Sequence, residues 1–128
     1  MKTTAIPFFV LLLTACGGEE AQVSASSTPD APAPIPAEAT QIYDTFCTTC
    51  HGKTGVGDGA AAVALDPKPR NYQDKAWQAS VSDEQLAKTI VEGGPAVGLS
   101  SAMPPRADLK DKPDVVAGLV QIIRGFGE

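Results

Sequence analysis

The chain has 128 residues, which is enough for one domain, and its formal net charge is −5. An acidic protein binds nucleic acid poorly, which argues against that function class, and electrostatic steering favours protein partners with a basic docking face. With three cysteines, two methionines and one histidine, the chain has few side chains that can bind a metal or form a disulfide.

The N-terminus has the features of a bacterial export signal. Met1 and Lys2 precede an apolar run from Ala5 to Leu13 that is too short to span a bilayer as a stable helix. The run ends in Leu13-Thr14-Ala15-Cys16, which resembles the lipobox of bacterial lipoproteins. That resemblance implies that residues 1–15 are a signal peptide and that Cys16 carries lipid as the new N-terminus. An ordinary signal peptide cleaved near Ala15 and an uncleaved anchor remain alternatives.

Residues 16–37 are predicted to be a tether between Cys16 and the folded domain, which comprises residues 38–128. The segment is rich in Ala, Ser, Thr, Gly and Pro and has almost no large apolar side chains, so it cannot bury enough surface to fold. Such a tether would let the domain search for a partner while it stays on its membrane, although a simple spacer has the same composition.

The sequence Cys47-Thr48-Thr49-Cys50-His51 is typical of a covalent attachment site for c-type haem. Each thiol can add to one vinyl group of the haem, and the histidine that follows is placed to become an axial ligand of the iron. A dithiol redox pair, half of a zinc site and coincidence are the alternatives. A zinc site needs further Cys or His ligands, and none is available.

The remaining candidate ligands are few enough to be counted. Cys16 is assigned to lipid, and Cys47 and Cys50 are assigned to haem, so no thiol remains for a disulfide. Met1 leaves with the signal peptide, which makes Met103 the only methionine of the mature chain and His51 its only histidine. These two residues form the ligand set of a His/Met cytochrome, and two histidine ligands from this chain are impossible. A core role for Met103, as a residue that fills a packing gap, is the alternative.

Hydrophobic periodicity predicts an all-α fold with about three main helices and short helical turns around one covalent haem. The first helix leads into the haem motif, the second follows a capping box at Ser82 and ends at Gly93, and the third begins near Asp111 with Pro113 in its first turn. Their predicted apolar faces are Ala39, Ile42, Tyr43 and Phe46, then Leu86, Ile90 and Val91, then Val115, Val116, Leu119, Ile122 and Ile123. Short helical turns are expected at residues 60–65 and 74–78, and no strand pattern is convincing.

Over residues 38–128 the sequence resembles the class I monohaem cytochrome c family, and the whole chain looks like a lipoprotein-type cytochrome of a bacterial respiratory chain. The motifs that carry the resemblance are Cys47–Gly52, Gly55–Gly59, Leu65–Arg70, Ile90–Gly94, Ser101–Pro105 and Ile122–Arg124. The first motif and the Met-Pro motif are highly specific together and in this order.

The resemblance implies a role for each matching position. His51 would be the proximal ligand and would donate its other ring N–H to a proline carbonyl of the Pro67–Pro69 stretch. Met103 would supply the distal thioether from a loop that Pro104 and Pro105 stiffen.

Three further residues, Arg70, Tyr72 and Trp77, are candidate hydrogen-bond donors to the haem propionates. Packing against the porphyrin is the alternative for Trp77, and a solvated charge is the alternative for Arg70. The family usually has an aromatic residue where Ile122 stands, so the contact of the last helix with Tyr43 should be slightly weaker.

These features predict an electron carrier rather than an enzyme: a monomeric one-electron carrier in an extracytoplasmic respiratory chain, with a donor and an acceptor protein as partners. A permanent electron-transfer subunit of a larger dehydrogenase or reductase complex is the alternative. An enzyme or gas sensor is disfavoured, because no second titratable group lies beside Met103 in the sequence. Gly17 is not the aspartate associated with inner-membrane retention, so the expected location is the periplasmic side of the outer membrane.

Overall fold

Helices are the regular structure of residues 33–128, the part of the chain that the computed structural model describes. The α-helices are α1 (Ala37–Ile42), α2 (Thr48–His51), α3 (Lys75–Ser80), α4 (Asp83–Glu92) and α5 (Pro113–Gly125). A π-helical turn (Tyr43–Cys47) joins α1 to α2, and 3₁₀ turns occupy Ala60–Ala64, Gly94–Val97 and Ala107–Leu109. Because none of the described residues forms a strand, the predicted all-α fold class is confirmed.

The predictions for the signal peptide, for Cys16 and for tether residues 17–32 lie outside the described residues. Between residues 33 and 128, no helix has both the length and the apolar character needed to cross a bilayer.

The hydrophobic core lies where α1, α4 and α5 pack together. Gly118 of α5 faces α1 so closely that a Cβ atom there would lie 2.9 Å from the Cβ of Ala39 and 2.7 Å from the Cδ of Pro36. A larger residue at this position would push the two helices apart. The buried core residues are Ala39, Ile42, Tyr43, Tyr72, Leu86, Ile90, Leu109, Val115, Val116, Leu119, Val120 and Ile123.

The ends of α3, α4 and α5 follow from local sequence signals. The side chain of Asp74 accepts hydrogen bonds from the first backbone N–H groups of α3, and Ser82 Oγ accepts one from the N–H of Gln85 in α4. Helix α4 ends at Glu92, because Gly93 after it has φ of +82°. Helix α5 begins at Pro113, two residues later than predicted, because Lys112 before it has a non-helical backbone.

The π-helical turn corrects one predicted core residue. The spacing of Ala39, Ile42, Tyr43 and Phe46 placed all four on one buried face, but the Phe46 side chain is 57 % exposed. A π-turn holds more residues than an α-turn, so the residues after Tyr43 are rotated relative to the face that α1 presents to the core. Phe46 therefore points outward, immediately before Cys47.

The aromatic contact with Tyr43 comes from a residue that the sequence did not single out. Ile122 is only half-buried against the core. The ring of Phe126, one helical turn further along, lies 5.5 Å from that of Tyr43 and 6.3 Å from that of Tyr72, centroid to centroid. Phe126 thus supplies the ring that appeared to be missing at Ile122.

A polar hub connects the C-terminal end of α5 to α3 and to the segment before it. Arg124 donates from Nη1 to the backbone and side-chain oxygens of Gln78, from Nη2 to the carbonyl of Val81 and from Nε to Asp83. The amide of Gln78 donates to the carbonyls of Tyr72 and Ile123, at 2.7 and 2.8 Å. These bonds fix the backbone that carries Tyr72 and Trp77.

Candidate haem attachment site

Two cysteines and a histidine lie on consecutive turns at the end of the first helical segment. Cys47 closes the π-helical turn, and Cys50 and His51 belong to α2. Both cysteines are free thiols of intermediate burial, whereas the His51 side chain is buried, with 7 % of its surface exposed. This arrangement presents two thiols on one side of a helical turn with an imidazole directly after them.

The Cys47 thiol does not have the properties of a catalytic redox cysteine. Burial raises its pKa to about 11, although the positive charge of Arg106 acts in the opposite direction. Dithiol oxidoreductases depend on a thiol pKa that is lowered rather than raised. The environment of Cys47 therefore disfavours the dithiol alternative.

The orientation of the His51 ring is set by one backbone carbonyl. Nδ1 of His51 lies 3.2 Å from the carbonyl oxygen of Arg70. The acceptor is therefore one residue beyond the Pro67–Pro69 stretch in which the sequence placed it, because the chain turns toward His51 only after the prolines. Burial lowers the pKa of His51, against the Arg70 hydrogen bond that raises it, and so favours the neutral imidazole that metals bind.

Tyr72 lies on the other ring nitrogen of His51. Its hydroxyl is 3.0 Å from Nε2, and the two rings stack with their centroids 4.4 Å apart. Trp77 continues the stack, 5.6 Å from Tyr72. Nε2 is the nitrogen left for iron once Nδ1 is bonded to the backbone, and iron would replace the Tyr72 hydroxyl as its partner. The sequence proposed Tyr72 as a propionate donor and gave no sign of this contact.

Among the other predicted site residues, Arg70 and Trp77 are brought together. The Arg70 guanidinium carbon lies 5.5 Å from the centre of the Trp77 ring. Trp77 is half-buried against the core, while Arg70 is exposed. Pro67 is exposed and Pro69 is half-buried. The binding roles predicted for Arg70 and Trp77 stay predictions, whereas the carbonyl that contacts His51 belongs to Arg70 and not to Pro67 or Pro69.

The loop between His51 and Tyr72 is tied back onto α2 by its backbone. The N–H of Gly57 donates to the carbonyl of His51 at 2.8 Å, and the N–H of Tyr72 donates to the carbonyl of Gly55 at 2.7 Å. Gly57 has φ of +85°, and a Cβ atom there would lie 2.5 Å from the carbonyl oxygen of Pro69. Residues 43–72, which we call the attachment segment, thus form a continuous hydrogen-bonded unit around His51.

Met103 lies in a second segment, residues 93–106, which we call the methionine loop. Its carbonyl accepts from the N–H of Gly94 at 2.9 Å, and its own N–H donates to the carbonyl of Ser100 at 3.1 Å. The N–H of Arg106 donates to the carbonyl of Ile90 in α4, also at 2.9 Å. The Met103 side chain is half-buried.

The methionine loop meets the attachment segment through Arg106, a residue that the sequence analysis did not single out. Its guanidinium carbon lies 4.3 Å from the centre of the Phe46 ring, next to Cys47. The only feature of the sequence that pointed to Arg106 was its positive charge three residues after Met103. Among the described residues, no hydrogen bond or aromatic contact joins Met103 to His51, so the ligation of iron by this pair stays a prediction.

The residues around Cys47 and His51 fit a covalent haem. Two free thiols stand at the required spacing, the imidazole is buried and oriented by a carbonyl, and large aromatic rings line its side. In sequence, residues 34–120 match the family model described as cytochrome c oxidase, cbb3-type, subunit III. The chain belongs to this family of c-type cytochromes.

A solved structure and the curated proteins give further comparisons. The KustC0563 c-type cytochrome is 34 % identical to this chain, over 70 % of this chain and 98 % of that one, with a TM-score of 0.48. No curated protein shows significant similarity to the chain.

Family membership establishes the cofactor and the general activity. The protein carries haem c, bound covalently through Cys47 and Cys50, and it is an electron-transfer protein. The predicted cofactor and the predicted monohaem cytochrome c family are therefore confirmed.

Proposed function

We propose that the protein is a membrane-tethered one-electron carrier whose haem iron is ligated by His51 and Met103. The observation that carries the proposal is the buried His51, whose Nδ1 is held by the Arg70 carbonyl and whose Nε2 is thereby directed away from the backbone. Met103 is the only methionine after Met1, and it lies in a loop whose backbone is fixed on both sides.

The chain's own residues determine how the electron is held. Haem supplies the Fe(III)/Fe(II) couple when bound. The Arg70 carbonyl fixes the ring orientation of His51, and the apolar surroundings disfavour the more highly charged ferric form. Thioether ligation stabilises the ferrous state relative to nitrogen ligation, so we expect a fairly high reduction potential. The side chains of Arg70 and Trp77 would bind the haem propionates.

The ligand assignment is tested by Met103→Ala. We expect loss of the far-red sulfur-to-iron charge-transfer band, a high-spin or ligand-exchanged spectrum, and a markedly lower potential in spectroelectrochemical titration. Ala102→Gly changes the neighbouring exposed position and is the matched control. An unchanged spectrum and potential in Met103→Ala would remove Met103 from the iron.

The membrane tether is tested by Cys16→Ala. This variant should be recovered in the soluble extracytoplasmic fraction with its haem attached, while the wild-type protein should require detergent. Thr14→Ser, which keeps the cysteine, is the control. If Cys16→Ala stays in the membrane fraction, the lipid assignment is wrong and an uncleaved anchor takes its place.

A second candidate function is that of a permanent electron-transfer subunit in a larger oxidoreductase complex. The match to a family described as an oxidase subunit favours this candidate. Purification of the native protein in mild detergent distinguishes the two. A carrier should separate as a monomer with weak, salt-sensitive partners, whereas a subunit should stay with the same large enzyme at high salt.

A further inference from the structure

Arg106 occupies the contact between the methionine loop and the attachment segment. Its backbone N–H is bonded to Ile90 of α4, so its Cα position is fixed. Its side chain leaves the loop and lies over the face of Phe46, 4.3 Å from the ring centre. Phe46 is the residue immediately before Cys47, and the contact therefore lies next to the haem attachment motif.

The guanidinium is held in this position from several sides. Nε and Nη2 donate to the two carboxylate oxygens of Asp108 at 2.9 and 2.8 Å, a bidentate geometry that a lysine cannot form. Nη1 is buried and has no hydrogen-bond partner among residues 33–128, and only 22 % of the side chain is exposed. The Arg106 side chain is therefore largely buried and does not extend into solvent.

The contact gives the outward-pointing Phe46 ring a partner on one face. The Phe46 side chain is still 57 % exposed with Arg106 in place. The planar guanidinium covers that one face with a favourable cation–π interaction. The π-helical turn that directs Phe46 outward thus provides the surface against which the methionine loop is fixed.

We propose that Arg106 is a positioning residue, which braces the methionine loop against Phe46 and so keeps the Met103 thioether on the haem iron. The proposal rests on the His51/Met103 ligation put forward as the proposed function. Between Met103 and Arg106 there are only two prolines, which restrict backbone rotation. A displacement of Arg106 is therefore transmitted to Met103, whereas a flexible linker would absorb it.

Competition with imidazole tests the brace directly. In the ferric haem-bound protein, the nitrogen of added imidazole binds iron as the thioether sulfur leaves, with no change of oxidation state. In Arg106→Gln, we expect the imidazole Kd to fall by about tenfold, the size of effect expected for loss of a cation–π contact and its hydrogen bonds. Arg106→Lys keeps the charge but not the planar fork, and should lie between Arg106→Gln and the wild type.

Lys110→Gln is the matched control, because it removes the same charge from an exposed position outside the contact. Its imidazole Kd should stay within about twofold of the wild type, as expected for a surface substitution. Urea midpoints recorded for all variants separate a local effect at the iron from general destabilisation. An imidazole Kd in Arg106→Gln equal to that in Lys110→Gln would overturn the proposal.

Phe46→Leu removes the other partner of the contact and tests the proposal if Arg106→Gln fails to fold. The Phe46 ring is exposed, so its replacement should be tolerated, and imidazole Kd should fall by about threefold through loss of the stacked face. An unchanged Kd in Phe46→Leu would also overturn the brace. Met103→Ala distinguishes failure of the brace from failure of the proposed function. If Met103→Ala binds imidazole with wild-type affinity, Met103 is not the iron ligand. If imidazole affinity changes in Met103→Ala but not in Arg106→Gln, the role of Arg106 alone is rejected.

Discussion

The attachment segment and the methionine loop are held by different kinds of interaction. In the attachment segment, buried side chains bond to backbone: His51 to the Arg70 carbonyl, and the Tyr43 hydroxyl to the carbonyl of Gly52 at 3.1 Å. In the methionine loop, Met103 is half-buried and is held by its own backbone bonds to Gly94 and Ser100, and Arg106 of this loop contacts Phe46 of the other segment.

This difference suggests which segment opens first. Segments with few buried contacts and partly exposed hydrogen bonds unfold locally at a lower free energy than the core does. Under the proposed His51/Met103 ligation, the methionine loop should therefore separate from the iron before the attachment segment loses its structure. The iron–sulfur bond, the weaker of the two axial bonds, would then depend on the methionine loop, the less stable segment. The few contacts of that loop would determine how often the bond breaks.

The largest effect should come from Gly57→Ala in the attachment segment. A positive φ costs a residue with a Cβ roughly 1–2 kcal/mol, and the new methyl group would meet the carbonyl of Pro69, so we expect a loss of about 3 kcal/mol. The measurement is urea unfolding of the ferric haem-bound protein.

Gly98→Ala is the matched control in the methionine loop. Gly98 has φ of +74°, but a Cβ atom there meets nothing within 4 Å, so only the backbone cost of about 1 kcal/mol remains. Equal losses in the two variants would show that crowding against Pro69 does not distinguish the segments.

A smaller loss is expected for Gln78→Ala. Its amide bonds to the carbonyls of Tyr72 and Ile123, and its side-chain oxygen accepts from Arg124, so the variant leaves part-buried groups without partners. We expect a decrease in unfolding free energy of about 2 kcal/mol. In Gln73→Ala, which removes one exposed bond to Thr54, the decrease should stay below about 0.5 kcal/mol. A decrease in unfolding free energy below about 0.5 kcal/mol in Gln78→Ala would show that the polar hub does not stabilise the attachment segment.

The smallest decreases in unfolding free energy are expected when one hydroxyl is removed from each segment. Tyr43→Phe removes a buried bond to the Gly52 carbonyl and should lower the unfolding free energy by about 1 kcal/mol. Ser100→Ala removes an exposed bond from the N–H of Ala102 and should cost about half as much or less. If Ser100→Ala is the more destabilising of the two, the methionine loop is not the weaker segment.

Local patterns in the sequence were sufficient for the helices and for the haem motif. The capping serine at Ser82, the terminating Gly93 and the apolar spacing of α5 each depend on residues within one or two turns. The haem motif is local for the same reason, because the two thioether bonds require a fixed spacing on one helical turn. A short-range pattern is visible without knowledge of the fold.

The buried face of the first helical segment was predicted only in part. Apolar spacing placed Tyr43 correctly and Phe46 wrongly. The reason is that α-helical periodicity was assumed for residues 43–47, which form a π-helical turn. No residue in this stretch signals the change from α-helix to π-helix. A single extra residue in the turn was enough to move Phe46 from the core to the surface.

The sequence by itself determined the chemistry of this protein: Cys47 and Cys50 as the thiols that form the thioether bonds, one histidine and, besides Met1, one methionine as candidate iron ligands, and an all-α domain to hold them. Only the tertiary structure decided the supporting contacts. The carbonyl of Arg70 on His51, the ring of Phe126 on Tyr43 and the guanidinium of Arg106 on Phe46 each join residues far apart in the chain. Such partners are selected by the packing of whole helices, for which no local pattern exists.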